Sequence, residues 1–334
     1  MTQTVLEQAA PSRSGLFTVA AAQKAVAFVV LVVLIGYFGF AAPNFLTEDN
    51  LVGILQATAV NGVLGVASTL VIITGGIDLS VGTLMTFTAV MCGVVLTNWQ
   101  MPMILGVVAA LAIGALCGGV SGAIIAKLRV PPFIATLGMM LLLKGLALVI
   151  AQDKPIYFND TPNFSVISND SFIGGLLPSF EVPNGVVILF AVAILGSIVL
   201  NKTLLGRYIF ALGSNEEAAR LSGVNVDFWK IITYALGGLI CGVAGLIIAS
   251  RLNSAQPALG QGYELEAIAA TVIGGTSLSG GRGTMLGTII GAFIMSVLTN
   301  GLRIMGVAQE WQIVVTGVII IVAVYVDMRL RRAG

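Results

Sequence analysis

The segment LGSNEEAARLSG, Leu212–Gly223, gathers Glu216, Glu217 and Arg220 in a chain that is 57% apolar and 9% charged. Two carboxylates and a guanidinium this close suit ion pairing or docking. Acid–base catalysis is poorly served, because the chain has no histidine, the commonest general base and metal ligand near neutral pH. Ser214 and Glu217 have the S-x-x-E spacing of a capping box. Glu216 and Glu217 then fall in a first turn, where acids complement the helix dipole, and Gly223 stands where a C-terminal cap belongs. The spacing predicts a helix of about eight residues, roughly 12 Å long, too short to cross a membrane. It reads as an ordered connector or as a rigid knob that docks in a partner. Phe228 and Trp229, in NVDFWK (Asn225–Lys230), read as an interfacial anchor beside it.

A second pattern occurs twice. GGIDLSVGT (Gly75–Thr83) and GGTSLSGGRGT (Gly274–Thr284) share G-G-x-x-L-S-x-G. The shared positions are Gly75, Gly76, Leu79, Ser80 and Gly82, and Gly274, Gly275, Leu278, Ser279 and Gly281. Glycine admits left-handed backbone, so both stretches are candidate breaks between helices. Paired glycine-interrupted segments in two halves of a membrane chain point towards a transport route. In a chain with 41 glycines, two unrelated chain reversals are the plainer reading. Asp78 reads as an N-cap for the helix that follows or as part of a gate. Asn61, Thr86, Thr136 and Asn300 are polar residues in or near apolar runs, suited to helix–helix hydrogen bonds or to a polar path. Glu264 and Glu266 open another apolar run.

The elements that must position these residues are membrane helices. The 334-residue chain has a mean hydropathy of +1.02, and several apolar runs reach the roughly 20 residues a spanning helix needs. Runs such as AVAFVVLVVLIGYFGFAA (Ala25–Ala42) do not alternate as barrel strands do. The expectation is an all-α, polytopic membrane protein with about ten transmembrane helices, near 25–42, 51–74, 79–97, 102–126, 133–151, 185–201, 231–250, 264–278, 284–302 and 311–327. The first run is longer than a signal-peptide core and reads as a retained helix. The domain reading is a cytoplasmic N-terminal tail, 1–24, and one transmembrane domain, 25–330. That domain carries an outer loop, 152–184, and a cytoplasmic loop, 202–230.

Lysine and arginine orient the bundle. With the N-terminus inside, twelve of the sixteen basic residues face the cytoplasm, including Arg13, Lys24, Arg329, Arg331 and Arg332. Lys144, Lys154, Arg251 and Arg303 remain. Both termini are then cytoplasmic. Lys144, twelve residues past Pro132, either snorkels to the outer interface or lines a polar route. Cys92, Cys117 and Cys241 lie in apolar runs without metal-ligand spacing, and no metal site is expected. A net charge of +1 points to no nucleic acid. The chain has no G-x-x-x-x-G-K-[ST] P-loop, so it is not expected to be an enzyme or to power itself.

TGGIDLSVG (Thr74–Gly82), PPFIATLGMM (Pro131–Met140), LGRYIFALGSNEEAARLSGVNV (Leu205–Val226), LNSAQPALGQGYELEAIAATVIGGTSLSGGRGT (Leu252–Thr284) and TNGLRIMGV (Thr299–Val307) together resemble the membrane permease of ribose-type ABC sugar importers. The resemblance covers most of the chain beyond Pro43. It implies an architecture similar to vitamin B12-type ABC importer permeases and a place in a bacterial inner membrane. It also implies a second permease subunit, in a homodimer or in a pair with a related permease, and a periplasmic sugar-binding protein. The cytoplasmic partner is an ATPase with two nucleotide-binding domains that carries the ATP and Mg, with no cofactor in this chain. The coupling element falls on Gly213, Glu216, Glu217, Ala218, Arg220 and Gly223. Beside it, the repeated glycine motif offers Gly75, Gly76, Asp78, Ser80, Gly82, Gly274, Gly275, Ser279 and Gly281 as a hinge or gate, and polarity offers Asn61, Thr86, Thr136 and Asn300 as path candidates for a hydroxyl-rich sugar. The alternative is a self-sufficient facilitator or ion-coupled carrier of a small polar solute. A membrane enzyme finds no paired buried carboxylates and no serine with an evident base.

Overall fold

A computed structural model describes residues 13–174 and 181–332. Among them the chain is helical apart from two short strands. Prolines open three of the helices: Pro102, Pro131 and Pro183 are the N-caps of α4 (Met103–Lys127), α5 (Pro132–Ala151) and α6 (Asn184–Lys202). Their fixed φ suits a helix start, where the missing N–H costs nothing. Gln152 and Asn253 adopt left-handed backbone just past α5 and α9 (Val226–Leu252) and close them. α1 spans Arg13–Ala41, α2 Glu48–Ile73 and α3 Val81–Gly93, the last continued by a π-helical turn, Val94–Asn98. α7 (Leu204–Ser214) and α8 (Glu216–Leu221) follow α6; α10 is Tyr263–Ile273, α11 Met285–Ile304 and α12 Gln309–Arg332.

Among the described residues, seven helices are long and apolar enough to cross a membrane: α2, α3 with its π turn, α4, α5, α6, α9 and α11. Ala25–Ala41 and Gln309–Tyr325 are shorter apolar helical stretches. α10 has only 11 residues and stops at Ile273, five residues before the expected end. α1 opens at Arg13, inside the expected tail, while residues 1–12 lie outside the described residues. The side chains of Arg13, Lys24, Arg329, Arg331 and Arg332, which carried part of the charge count, are likewise outside the described set. The expected loop 202–230 is mostly helix, since it holds α7, α8 and the first turn of α9.

α2 is the axis of the bundle. In its apolar window 89% of residues are buried, against 22% in α4, so α4 turns an apolar face outwards. α4 and α9 meet backbone to backbone. A side chain at Gly114 would strike the Gly238 carbonyl, and one at Gly118 the Tyr234 carbonyl. Small residues permit that approach between membrane helices. At the end where α5 finishes and α9 finishes, β1 (Ile156–Tyr157) pairs antiparallel with β2 (Ser254–Ala255), Ile156 opposite Ala255. Phe158 and Phe164 stack 4.1 Å apart, and the Ser250 hydroxyl donates to the Phe164 carbonyl at 2.8 Å. The described part of the 152–184 loop is therefore folded onto the bundle.

Candidate functional site

The acidic segment forms α8, capped at both ends. The N-cap is Asn215, whose Oδ1 accepts from the Ala218 N–H at 2.9 Å. Ser214 instead ends α7, which corrects the Ser214 capping box by one residue. Both types are strong N-caps, and the backbone turns extended at Asn215. Gly223, at φ 83°, closes the other end, with the Val224 N–H donating to the Ala219 carbonyl at 3.1 Å. Asn225 caps α9 through the Phe228 N–H at 3.1 Å.

This cassette is held to itself. Lys230 Nζ lies 2.7 Å from Glu216 Oε2, and Arg220 bridges Glu216 at 3.4 Å and Asp227 at 3.5 Å. Leu212, Ala219 and Val226 are buried together beneath Trp229, whose ring packs 4.7 Å from Tyr208 and 5.1 Å from Phe228. Trp229 is thus part of the cassette's own core, and Phe228 is the more open of the pair. What α8 offers outwards is a ridge of Glu217, Ala218, Arg220 and Gly223. At its tip stands Leu221, 84% exposed, which reading the sequence missed. The signal lay in the cassette's pattern, where Ala219 alone can turn inwards and Leu221 is left at the C-terminal edge. Glu216 serves inside the cassette, and Glu217 is the carboxylate without an ion pair among the described residues.

The cassette touches the two glycine breaks. Gly213, in the last turn of α7, packs against the Ile73 carbonyl at the end of α2 and against Gly281; a side chain there would overlap both. The Gly281 N–H donates to the Ile73 carbonyl at 2.8 Å. Gly280, at φ 82°, backs onto Gly213 and the Gly75 N–H. Cassette, first break and second break therefore share one junction.

The two breaks stop their helices alike. The Gly75 N–H donates to the Ile72 carbonyl at 2.9 Å and the Gly76 N–H to Val71 at 3.3 Å; Gly275 and Thr276 do the same to Val272 and Thr271, at 2.9 and 3.1 Å. This is the bonding of a Schellman stop, with left-handed glycine at Gly75 (φ 82°) and Gly275 (φ 90°). The equivalent residues are Gly75 and Gly275, one step off the register of the sequence motif, in which Gly75 matched Gly274. Past the stop the breaks part. Residues 76–80 lead to α3 without regular structure and bend at Leu79, with Asp78 5% and Ser80 1% exposed. Asp78 Oδ1 accepts from the Ser80 N–H at 2.8 Å and the Ser80 hydroxyl at 2.6 Å. Ser80 occupies the N-cap position, so Asp78 shapes the turn into α3 and is not itself the cap. In the second break the Ser277 N–H donates to the Arg282 carbonyl at 3.0 Å, and Ser279 is exposed. Thr284 then caps α11 through the Gly287 N–H at 3.2 Å.

The four path candidates are not brought to one place. Asn61 Nδ2 donates to Glu266 Oε2 on α10 at 2.8 Å, which also turns Glu266 inwards. Asn300 Nδ2 donates to Asn50 Oδ1 at 2.9 Å. The Thr136 hydroxyl donates to the Ile77 carbonyl at 3.1 Å, tying α5 to the first break. Thr86 lies on α3 beside a narrow cleft. Glu264 is buried, its carboxylate accepting from the Gly262 N–H at 3.1 Å. Among the described residues no group of His, Cys, Asp and Glu is placed to hold a metal.

Residues 50–324 match the family described as branched-chain amino acid transport system / permease component. The ribose import permease protein RbsC of Escherichia coli K12 is 46% identical over 93% of this chain and 95% of its own. The fructose import permease protein FrcC of Rhizobium meliloti is 39% identical, covering 93% of this chain and 86% of its own. The xylose transport system permease protein XylH of Escherichia coli K12 is 34% identical, covering 86% and 87%. No solved structure matches the chain.

Proposed function

The chain belongs to this permease family, and from that premise we propose that it is the membrane permease subunit of an ABC importer for a monosaccharide: ribose, or a related pentose, hexose or polyol. The observation that carries this reading is the 46% identity to a ribose import permease along 93% of the chain. The protein is a multi-pass subunit of a bacterial inner membrane and is not an enzyme. Ten membrane-embedded helices are the seven long ones, α1, α12 and the short α10, arranged as in vitamin B12-type permeases. One transmembrane domain, 25–330, carries them, the N-terminal segment up to 24 and the C-terminus lie in the cytoplasm, and two copies pair as a homodimer. A periplasmic binding protein delivers the sugar to the end closed by β1 and β2. At the other end a separate ATPase with two nucleotide-binding domains holds ATP and Mg.

α8 is the grip for that ATPase. Its shape and its charge are set internally, by the Asn215 and Gly223 caps and by the Glu216–Lys230 pair. That leaves Glu217, Ala218, Arg220 and Leu221 to meet the partner. Movement of the cassette reaches both breaks at once because Gly213 abuts Ile73 and Gly281. A nucleotide shifts the inward–outward equilibrium only through its different affinity for the two states, and a stiff cassette passes that difference on. The test is a Glu217→Lys, Leu221→Asp double variant in the complete importer. It is expected to lose capture of the ATPase and ATP-driven ribose uptake while the permease keeps its melting temperature in detergent. Undiminished ATPase capture and uptake would sink the assignment.

A further inference from the structure

A second polar place lies where the chain leads into α10. After β2 the chain turns back along the bundle through residues 256–262 before α10 begins. There Gly260 packs backbone to backbone on Gly82 at the start of α3; a side chain at either position would strike the other's backbone carbonyl. Thr83 and Thr86 from α3, Lys144 from α5, and Pro257, Gly260 and Gln261 line a narrow cleft at this contact. Thr83 and Thr86 are buried at its floor, each 4% exposed, and Gln261 stands exposed at its mouth. Lys144 Nζ donates to Gln261 Oε1 at 2.9 Å across it.

The depth of this pair is the telling feature. Lys144 lies about 18 Å along α5 from Pro132, well within the roughly 30 Å that a bilayer core requires. Its helix neighbours Leu141, Leu142 and Leu146 are exposed apolar side chains, as a lipid-facing belt demands. A lysine kept only for structure at such depth pairs with a carboxylate or reaches for the interface. Lys144 has no carboxylate partner among the described residues. Its partner is a neutral amide. A half-exposed amine bonded to an exposed amide at that depth calls for a wet surface, which an aqueous passage along this face would supply.

The geometry points to this cleft as the constriction at which the imported sugar touches the permease. Lys144, Gln261, Thr83 and Thr86 read its hydroxyl groups there, and the Lys144–Gln261 bond is the latch that closes the cleft between passages. This rests on the sugar-import reading. A sugar leaving water must exchange many hydrogen bonds of both senses. Lysine supplies three donors, and the amide and the hydroxyls supply donors and acceptors. Pro257 adds an apolar surface for a face of C–H groups. The cleft as it stands has room for about one water, so this structure holds the latched state. Opening requires residues 256–262 to leave α3. Gly262, at φ 99°, is the joint nearest that movement. Thr136 anchors α5 to the first break two turns before Lys144, which connects the latch to the junction driven by the cassette.

The experiment uses the complete importer, with its ATPase and binding protein, in liposomes. ATP-driven uptake of ribose and of 2-deoxyribose is measured for the wild type, Lys144→Met, Lys144→Arg and Thr86→Val. The binding protein is the same throughout, so any change in the ribose-to-deoxyribose ratio belongs to the permease. Lys144→Met is expected to lower ribose uptake at least tenfold and to shrink the ratio at least threefold, with Lys144→Arg recovering most of both. Thr86→Val, which leaves the latch intact, shrinks the ratio with a smaller loss of rate. Wild-type uptake and ratio in Lys144→Met overturn the proposal. So does a loss of rate that leaves the ratio unchanged in both Lys144→Met and Thr86→Val, since that is the mark of a merely structural role. Absence of ATP-driven ribose uptake in the wild type strikes the transport reading itself, a failure distinct from that of the cleft.

Discussion

The two glycine breaks begin identically and end differently. Each stops its helix with a left-handed glycine, Gly75 or Gly275, and the same pair of backbone hydrogen bonds. The first then passes through a buried interior, where Gly76 faces the Tyr234 hydroxyl and Asp78 is shielded from solvent. The second folds back on itself in a tight turn with an exposed serine. The lesson is that the helix stop is a local device and the exit is a tertiary one. Gly213 meets the first break at its stop, at the Ile73 carbonyl, and the second at its turn, at Gly280 and Gly281. The different exits send one towards the interior of the bundle and leave the other at its edge.

That contrast can be attacked by substitution, each effect being read as a change in thermal unfolding of the purified permease. The largest loss is expected at the end of the first break. Gly82→Leu drives a side chain into the Gly260 carbonyl and the Glu264 carboxylate; backbone on one side cannot yield, and about 3 kcal/mol is expected. Asp78→Ala comes next. It strips the Ser80 N–H and hydroxyl of a buried acceptor, at a cost of about 2 kcal/mol, whereas Asp78→Asn keeps an oxygen there and costs less. Gly75→Ala and Gly275→Ala force left-handed backbone on alanine at about 1 kcal/mol each. The comparison requires these two losses to be equal within error, and a clear inequality would break the claim that the stops are equivalent. Ser279→Ala, on the exposed turn of the second break, is expected to stay within about 0.5 kcal/mol.

How much of this was legible in the residues follows from the range of the forces involved. Apolar runs showed the long helices, because a membrane helix must be greasy along most of its own length whatever it packs against. The acidic cassette was legible from its charges. Its cap was misplaced by one residue, because Ser214 and Asn215 are adjacent, both cap well, and local spacing favoured the serine. The end of α10 was overshot because Gly-Gly-Thr-Ser-Leu carries no strongly polar residue to mark a boundary. The repeated motif led to both breaks but concealed their difference. What separates them is supplied by Tyr234, Gly260 and Glu264, far along the chain. The path candidates were chosen for polarity alone, and three of the four prove to bond protein partners on neighbouring elements. Leu221 was invisible for the opposite reason: one more leucine in an oily chain carries no signal until its exposure is known.

The central claim is that motion enters at the cassette and reaches the breaks through Gly213. The most direct measurement is the number of ribose molecules imported per ATP hydrolysed by the complete importer carrying Gly213→Ala. The added methyl falls between Ile73 and Gly281 and leaves the outer ridge of α8 untouched. The account predicts that the ATPase still docks and hydrolyses at near wild-type rate while sugar imported per ATP falls at least tenfold. An unchanged ratio would show that the power stroke bypasses this junction, and the account would fail.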